Sequence, residues 1–231
     1  CVFCQNYTIS RGPTGLGMKM DSSSLADAYL KLQDDGANNI NLVTPMHFAP
    51  AVADSITVAK TRGLNIPVAV NCSGYDIVST LKLFDGLVDI YMPDMKYFSP
   101  KYSSEYSNAK DYFTVCCQAI DEMVRQTGDI VMGDDGLIKK GVIVRHLILP
   151  GGLFDSKHVL DYLTSRYGNR IFISLMSQYT PMPACTGKLK ERPSKRTCES
   201  LADYLASKGQ TKAFIQEYES SGNEMIPDFK T

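Results

Sequence analysis

Short aliphatic and β-branched runs recur along the chain, and each is succeeded by a stretch whose apolar residues return every three or four positions. The runs are Asn39–Thr44, Ile66–Asn71, Leu87–Met92, Gly141–Leu149 and Ile171–Met176, with Lys212–Glu217 as a candidate for a last one. Continuous apolar segments bounded by turn residues predict strands buried on both faces. Helical spacing fills the intervals. Ser22–Asp35 carries Leu25, Ala28, Tyr29 and Leu32 on one face, with Asp21 or a following serine to cap its start and Gly36 to close it. Ala49–Arg62 carries Val52, Ile56 and Ala59 and stops at Gly63. Asp76–Phe84, Tyr112–Gln126, Ser156–Tyr167 and Ser194–Ser207 show the same period. Asp129–Lys140, with Gly133 and Gly136 around two aspartates, reads as a surface turn or hairpin. Strand–helix alternation over most of a chain means parallel strands joined by right-handed crossovers, hence an α/β fold: a barrel, a partial barrel or a doubly wound sheet.

In such folds ligands bind at the carboxyl edge of the sheet, so the residues at the end of each strand carry the chemistry. The first strand ends in Thr44-Pro45-Met46-His47 and the second in Asn71-Cys72-Ser73-Gly74-Tyr75. The third ends in Pro93-Asp94-Met95-Lys96-Tyr97. The fourth carries Arg145-His146 and ends in Pro150-Gly151-Gly152, and the fifth in Ser177-Gln178-Tyr179-Thr180-Pro181. Turn chemistry accounts for any one of these ends. All of them together make a polar floor facing one direction. Asp94 and Lys96 point the same way if strand geometry continues, which also suits a simple ion pair. Arg145 and His146 are neighbours and face opposite sides, so only one faces the lumen.

Composition narrows the class. The 231 residues are 44% hydrophobic and 21% charged, enough for one sizeable domain. No linker divides the chain. Residues 1–231 read as a single domain, with a barrel core to about 185 and a C-terminal extension of one helix and one strand. A net charge of −1 gives no electrostatic case for nucleic acid or an anionic membrane. No apolar run approaches the roughly 20 residues that span a bilayer. Seven cysteines, odd in number and irregularly spaced, suit a reducing cytoplasm better than a disulfide framework. Cys116 and Cys117 suit helix packing, and Cys185 and Cys198 match no compact ligand spacing. Cys1 and Cys4 differ: two thiols three residues apart on a turn can share one metal or cluster.

Cys1-Val2-Phe3-Cys4-Gln5-Asn6 resembles the second half of the Cys-x-x-x-Cys-x-x-Cys loop of radical S-adenosylmethionine (SAM) enzymes. Cys-x-x-Cys alone is weakly specific. Succeeded in order by Asn39–Phe48, Asn71–Tyr75, Val88–Lys96, Val144–Gly151 and Leu175–Pro181, it resembles the subgroup related to pyruvate formate-lyase activating enzyme, over nearly the whole chain. The resemblance implies a partial TIM barrel, a (β/α)6-like core lacking its first strand here. It implies a [4Fe-4S] cluster on three cysteine thiolates, with the fourth iron open to the amino and carboxylate groups of SAM. Electron transfer from the reduced cluster then yields a 5′-deoxyadenosyl radical that abstracts a hydrogen atom. An external electron donor such as flavodoxin or ferredoxin is implied, and as substrate either a glycyl radical enzyme or a small molecule.

By position, the resemblance implies that Cys1 and Cys4 are cluster ligands and that Phe3 lies near the SAM adenine. Thr44 takes the place of a glycine-rich strand end that meets the SAM amino group, although the usual Gly-Gly-Glu is absent. Asp94 and Lys96 match the Asp-x-Lys near the SAM carboxylate or an associated cation. Asn71 and Ser73 suit the ribose or amino-acid end. Arg145 or His146, with Gln178 and Tyr179, lines the remaining wall. The first ligand cysteine is expected to precede residue 1, so this stretch made alone is expected to hold little intact cluster and to be inactive. Three rival readings stand beside this one. Cys1 and Cys4 suit a thiol–disulfide oxidoreductase. His47, Asp94 and Lys96 suit a non-radical barrel lyase or hydrolase. The third is a non-catalytic interaction domain.

Overall fold

Parallel strands with helical crossovers dominate the computed structural model, which describes residues 1–6, 10 and 17–218. The first half runs α1 (Ser22–Asp34), β1 (Ile40–Val43), α2 (Ala49–Thr61), β2 (Val68–Cys72), α3 (Val78–Leu81), β3 (Ile90–Pro93) and α4 (Pro100–Ser107). The second runs α5 (Tyr112–Thr127), β4 (Val131–Met132), β5 (Ile138–Leu147), α6 (Leu153–Arg166), β6 (Phe172–Met176), α7 (Lys195–Ser207) and β7 (Ala213–Ile215). The sheet order is β1-β2-β3-β5-β6-β7, every neighbouring pair parallel, with β4 forming an antiparallel hairpin on the start of β5. That hairpin is the turn expected at Asp129–Lys140. Among the described residues β1 and β7 each have one partner and do not meet, so the barrel is partial and open.

Burial follows position in the sheet: β2 and β3 are buried along nearly their whole length, β5 from Val142 onward and β6 alternate buried with part-exposed positions, and edge strand β1 exposes Asn41 and Val43. The expectation of strands buried on both faces therefore holds at the centre only. Val68, Ala69 and Val70 are all buried, as are Val142, Val144, Ile171 and Ile173. Helix α5 shows how the layer closes: Cys116, Ala119, Ile120 and Met123 recur at helical spacing and are fully buried against the sheet. Cys116 is therefore core filling, and Cys117 beside it is half-buried. Caps fall where side chains supply them. Asp21 accepts the Ser24 amide at 2.8 Å at the start of α1, and Ser194 accepts the Thr197 amide at 3.2 Å at the start of α7. Gly36 ends α1 at φ +88°, a left-handed position that suits glycine.

Two elements differ from the sequence pattern. The helix expected over Asp76–Phe84 shrinks to Val78–Leu81 plus a 3-10 turn at Lys82–Phe84. Ile77 remains extended, so the helix opens only at Val78, and it tightens into the 3-10 turn from Lys82. Conversely, α4 has in its sequence only the Tyr102–Tyr106 pair at helical spacing, and the pattern of hydrophobic positions does not predict it. Ser99 accepts the Lys101 amide at 3.3 Å and Pro100 opens the first turn. Asp155 at the start of α6 accepts the Phe98 and Ser99 amides at 3.0 and 2.7 Å, which fixes the entry to that helix. The expected last strand is present as β7, and residues 219–231 of the C-terminal extension lie outside the described residues.

Candidate functional site

Register brings the polar strand ends into one rim. Asn71 of β2 stands opposite Val43 of β1 and Met92 of β3, and Asp94 just beyond β3 bridges Arg145 of β5. Between them opens a cleft of about 320 Å³. Its floor holds Asn71, Asp94, Lys96 and Arg145, its near wall Thr44 and Ser73, its far wall Gln178 and Tyr179, and its roof the Cys1–Asn6 loop. Met176 and Leu147 supply its apolar side.

A charge network organises the floor. Asp94 pairs with Lys96 and contacts the Arg145 guanidinium at 2.6 Å, and the same guanidinium donates to Asn71 Oδ1 at 2.6 Å. The side chains are 14–23% exposed, so this network faces the cleft without being free in solvent. Its hydrogen bonding is incomplete. Arg145 Nε is a buried polar atom without a hydrogen-bond partner, and Asp94 Oδ1 meets the guanidinium as an ion pair without an aligned hydrogen bond. Those two atoms lie beneath the cleft surface, and what the floor presents to a ligand is the part-exposed remainder of the Asp94, Lys96 and Arg145 side chains. Tyr112 stitches the floor from behind: its hydroxyl lies 2.9 and 2.8 Å from the carbonyl oxygens of Ser73 and Asp94 and accepts the Lys96 amide at 3.1 Å. Gly74 lets the β2 and β3 ends close, since a Cβ there, at φ +74°, would sit 2.1 Å from the Asp94 carbonyl oxygen.

Strand parity separates Arg145 from His146. Arg145 enters the cleft, and His146 turns to the opposite face, where it is buried beside the Met95 carbonyl oxygen at 2.7 Å. A carbonyl only accepts, so Nδ1 carries the proton and the bare Nε2 has no partner. Burial lowers the His146 pKa and keeps it neutral. His146 therefore belongs to the packing behind the site and does not line the wall. Tyr179 borders the cleft but is a buried strut, its hydroxyl donating to the Leu189 carbonyl at 2.6 Å. Phe3 is likewise buried, edge-on to Tyr97 and Tyr179, so its ring anchors the loop more than it offers a face to the cleft. Gln178 is held by Gln216, whose amide donates to its Oε1 at 2.9 Å. His47 is exposed beyond β1 and does not join Asp94 and Lys96 in the cleft lining.

Thr44 is the unusual backbone at the rim. It adopts φ 55°, ψ 48°, a left-handed conformation rare for a β-branched residue, while its amide donates to the Asn71 carbonyl at 2.7 Å. Thr44 stands where the resemblance implies a glycine-rich strand end, and its backbone takes a conformation that glycine adopts freely. Cys72, not singled out in the sequence, also lines the cleft, and burial pushes its thiol up and the carboxyl of nearby Asp76 up as well.

The roof is one tight turn. The Cys4 amide donates to the Cys1 carbonyl at 3.4 Å, and the Val2 amide donates to the Tyr106 carbonyl at the end of α4 at 2.9 Å. Cys1 is exposed and Cys4 half-exposed, and none of the seven cysteines is in a disulfide. Among the described residues no three metal-ligating side chains converge, so this set offers a cluster the two thiolates of the turn. The donor types fit: soft sulfur at the mouth for iron, and part-exposed groups of both charges on the floor for a zwitterion. No helix among the described residues is long and apolar enough to cross a membrane.

No protein-family model matches the chain. It is 27% identical over 191 residues to the uncharacterized protein MJ0674 of Methanocaldococcus jannaschii, a match covering 78% of this chain and 50% of that protein. The chain thus spans about half the length of the curated relative it matches. Among solved structures, a domain of pyruvate-formate lyase-activating enzyme from Bacteroides vulgatus aligns with a TM-score of 0.57 at 15% identity, over 78% of this chain and 99% of that one. Streptococcus suis SuiB, solved bound to the precursor peptide SuiA, aligns with a TM-score of 0.62 at 9% identity, over 94% of this chain and 45% of that one. These likenesses show the fold. The chain has an open α/β partial barrel like that of the pyruvate-formate lyase-activating enzyme domain, the fold that the resemblance of the strand-end motifs implies.

Proposed function

We propose that this chain is the core of a radical SAM iron–sulfur oxidoreductase. The observation that carries the reading is the juxtaposition of a Cys-x-x-Cys turn with a cleft floor lined by the part-exposed charges of Asp94, Lys96 and Arg145. Cys1 and Cys4 would hold two irons of a [4Fe-4S] cluster, and SAM would occupy the floor. When bound, that pair supplies one-electron cleavage of the sulfonium, which generates a carbon radical able to abstract hydrogen. Arg145 and Lys96 offer cations to a carboxylate, and Asp94 offers an anion to an ammonium. Asn71 and Ser73 present short polar groups at the neighbouring rim, and Thr44 turns the β1 end toward the same space. Leu147 and Met176 exclude water from one side.

The substrate we infer is a peptide segment of a partner protein, such as a glycyl radical enzyme, with electrons delivered by an external flavodoxin or ferredoxin. The open barrel supports this reading, since SuiB, of like fold, was solved with a peptide bound. A small molecule is the alternative occupant. The test is anaerobic reconstitution of the whole protein with iron and sulfide, then reduction with dithionite in the presence of SAM. The expected result is a cluster absorption band and 5′-deoxyadenosine release, both lost on joint Cys1→Ala and Cys4→Ala substitution. A whole protein that binds no iron and leaves SAM intact overturns the proposal, and reversible thiol oxidation without iron would point to thiol–disulfide chemistry instead.

A further inference from the structure

We propose that Ser107 and Tyr97 form a hydrogen-bond relay onto the Cys1 sulfur that holds and tunes the group bound there, an inference that rests on the cluster reading above. Ser107 is the last residue of α4, and its hydroxyl donates to Cys1 Sγ at 2.9 Å. The Tyr97 hydroxyl lies 2.6 Å from the same Ser107 oxygen. A serine has one hydrogen to give. With that hydrogen on sulfur, the second contact runs the other way, and Tyr97 donates to Ser107. The chain of donors is therefore directional: phenol to hydroxyl to sulfur. Each link polarises the next, which strengthens the final bond beyond that of an isolated serine.

The rest of the neighbourhood keeps the relay aligned. Tyr97 is buried, its ring edge-on to Phe3 of the Cys-x-x-Cys turn and to Tyr112 of the floor. Burial also raises the Tyr97 pKa, so the phenol remains a donor at neutral pH. The Val2 amide donates to the Tyr106 carbonyl at 2.9 Å, so backbone and side chain of the α4 end grip the same turn. Cys4 has its own hydroxyl donor in Ser10, at the longer distance of 3.5 Å. Hydrogen bonds to ligating sulfurs are among the levers that set cluster potentials and retention. A donor withdraws charge from sulfur, so it favours the more reduced state and slows protonation-driven loss of the ligand. Ser107 and Tyr97 are on this account positioning residues that act through Cys1.

The experiment compares whole protein, reconstituted anaerobically, with its Ser107→Ala, Ser107→Thr and Tyr97→Phe variants. Iron release to a chelator in excess is followed by absorbance, and the cluster potential by redox titration. Ser107→Ala is expected to release iron about tenfold faster and to shift the potential to a more negative value. Tyr97→Phe, which removes one oxygen from a packed ring, is expected to show the same changes at smaller size. Ser107→Thr keeps the hydroxyl and is expected to match the wild type, which separates the relay from a structural role of α4. Equal release rates and equal potentials in wild type and Ser107→Ala overturn the relay while leaving the cluster reading intact. A wild type that takes up no iron overturns the cluster reading itself, and the relay with it.

Discussion

Arg145 shows how much one side chain settles at this site. Its guanidinium touches both Asp94 and Asn71, and its Nε still lacks a hydrogen-bond partner. A charged hydrogen bond is worth about 1.5–3 kcal/mol, so on the proposed reading removing the guanidinium should weaken SAM binding roughly ten- to a hundredfold. Equilibrium dialysis of Arg145→Met against wild type checks this, and unchanged affinity would remove Arg145 from the site. The adjacent His146 makes a separate prediction about stability. Its folded pKa lies below the ordinary 6.5 because the ring is buried. Above that ordinary value both folded and unfolded rings are neutral, and His146 adds no pH dependence. Below it the unfolded chain takes up a proton that the folded chain refuses, so stability falls as the pH drops toward the folded value. The slope is at most about 1.4 kcal/mol per pH unit. Urea unfolding between pH 7.5 and 5 should show this fall in wild type and a flatter profile in His146→Asn. Sequence parity placed Arg145 and His146 on opposite faces, but which face is which depends on pairing with Asp94, a tertiary fact.

Elements were legible in proportion to their apolar patterning. Every crossover strand showed as an aliphatic run, and α5 showed as a buried stripe through Cys116, Ala119, Ile120 and Met123. Helix α4 did not, because its eight residues offer only the Tyr102–Tyr106 pair, one turn apart, and no longer stripe. The signal that could have found it is the Ser99-Pro100 start. Ser107 at its end is equally unmarked in the sequence, since its contact with Cys1 spans more than a hundred residues. At the end of β1 the opposite lesson holds. The sequence lacks a glycine there, yet Thr44 is folded into the left-handed shape that glycine adopts freely. That shape costs an ordinary residue about 1–2 kcal/mol, and the greater unfolded-state freedom of glycine offsets roughly 0.5–1 kcal/mol of the gain. Thr44→Gly should therefore raise the melting temperature by a few degrees at most, about 2–4 °C per kcal/mol for a chain of this size. A lower melting temperature would mean that the Thr44 side chain contributes more than its backbone strain takes away.

The whole molecule is an open sheet whose ligand-facing groups come from β1, β2, β3, β5 and β6 together with the amino-terminal turn. No single element holds the whole floor, so on the proposed SAM reading occupancy would tie the strand ends to one another. This coupling has a thermodynamic signature that does not depend on turnover. A ligand that binds only the folded state stabilises it by RT ln(1 + [L]/Kd), about 2.7 kcal/mol at a hundredfold excess over Kd. For a chain of this length each kcal/mol moves the melting temperature by roughly 2–4 °C, so saturating SAM should raise it by about 5–10 °C. Amide exchange should slow at Thr44, Asn71–Ser73 and Asp94–Lys96 together, because the same ligand bridges all three rims. The far face, at the β4–β5 hairpin, should exchange as before. In Arg145→Met the thermal shift should shrink along with the lost affinity. Protection confined to one strand end would mean that the cleft binds in pieces, and the rim would then be a set of turns rather than a site.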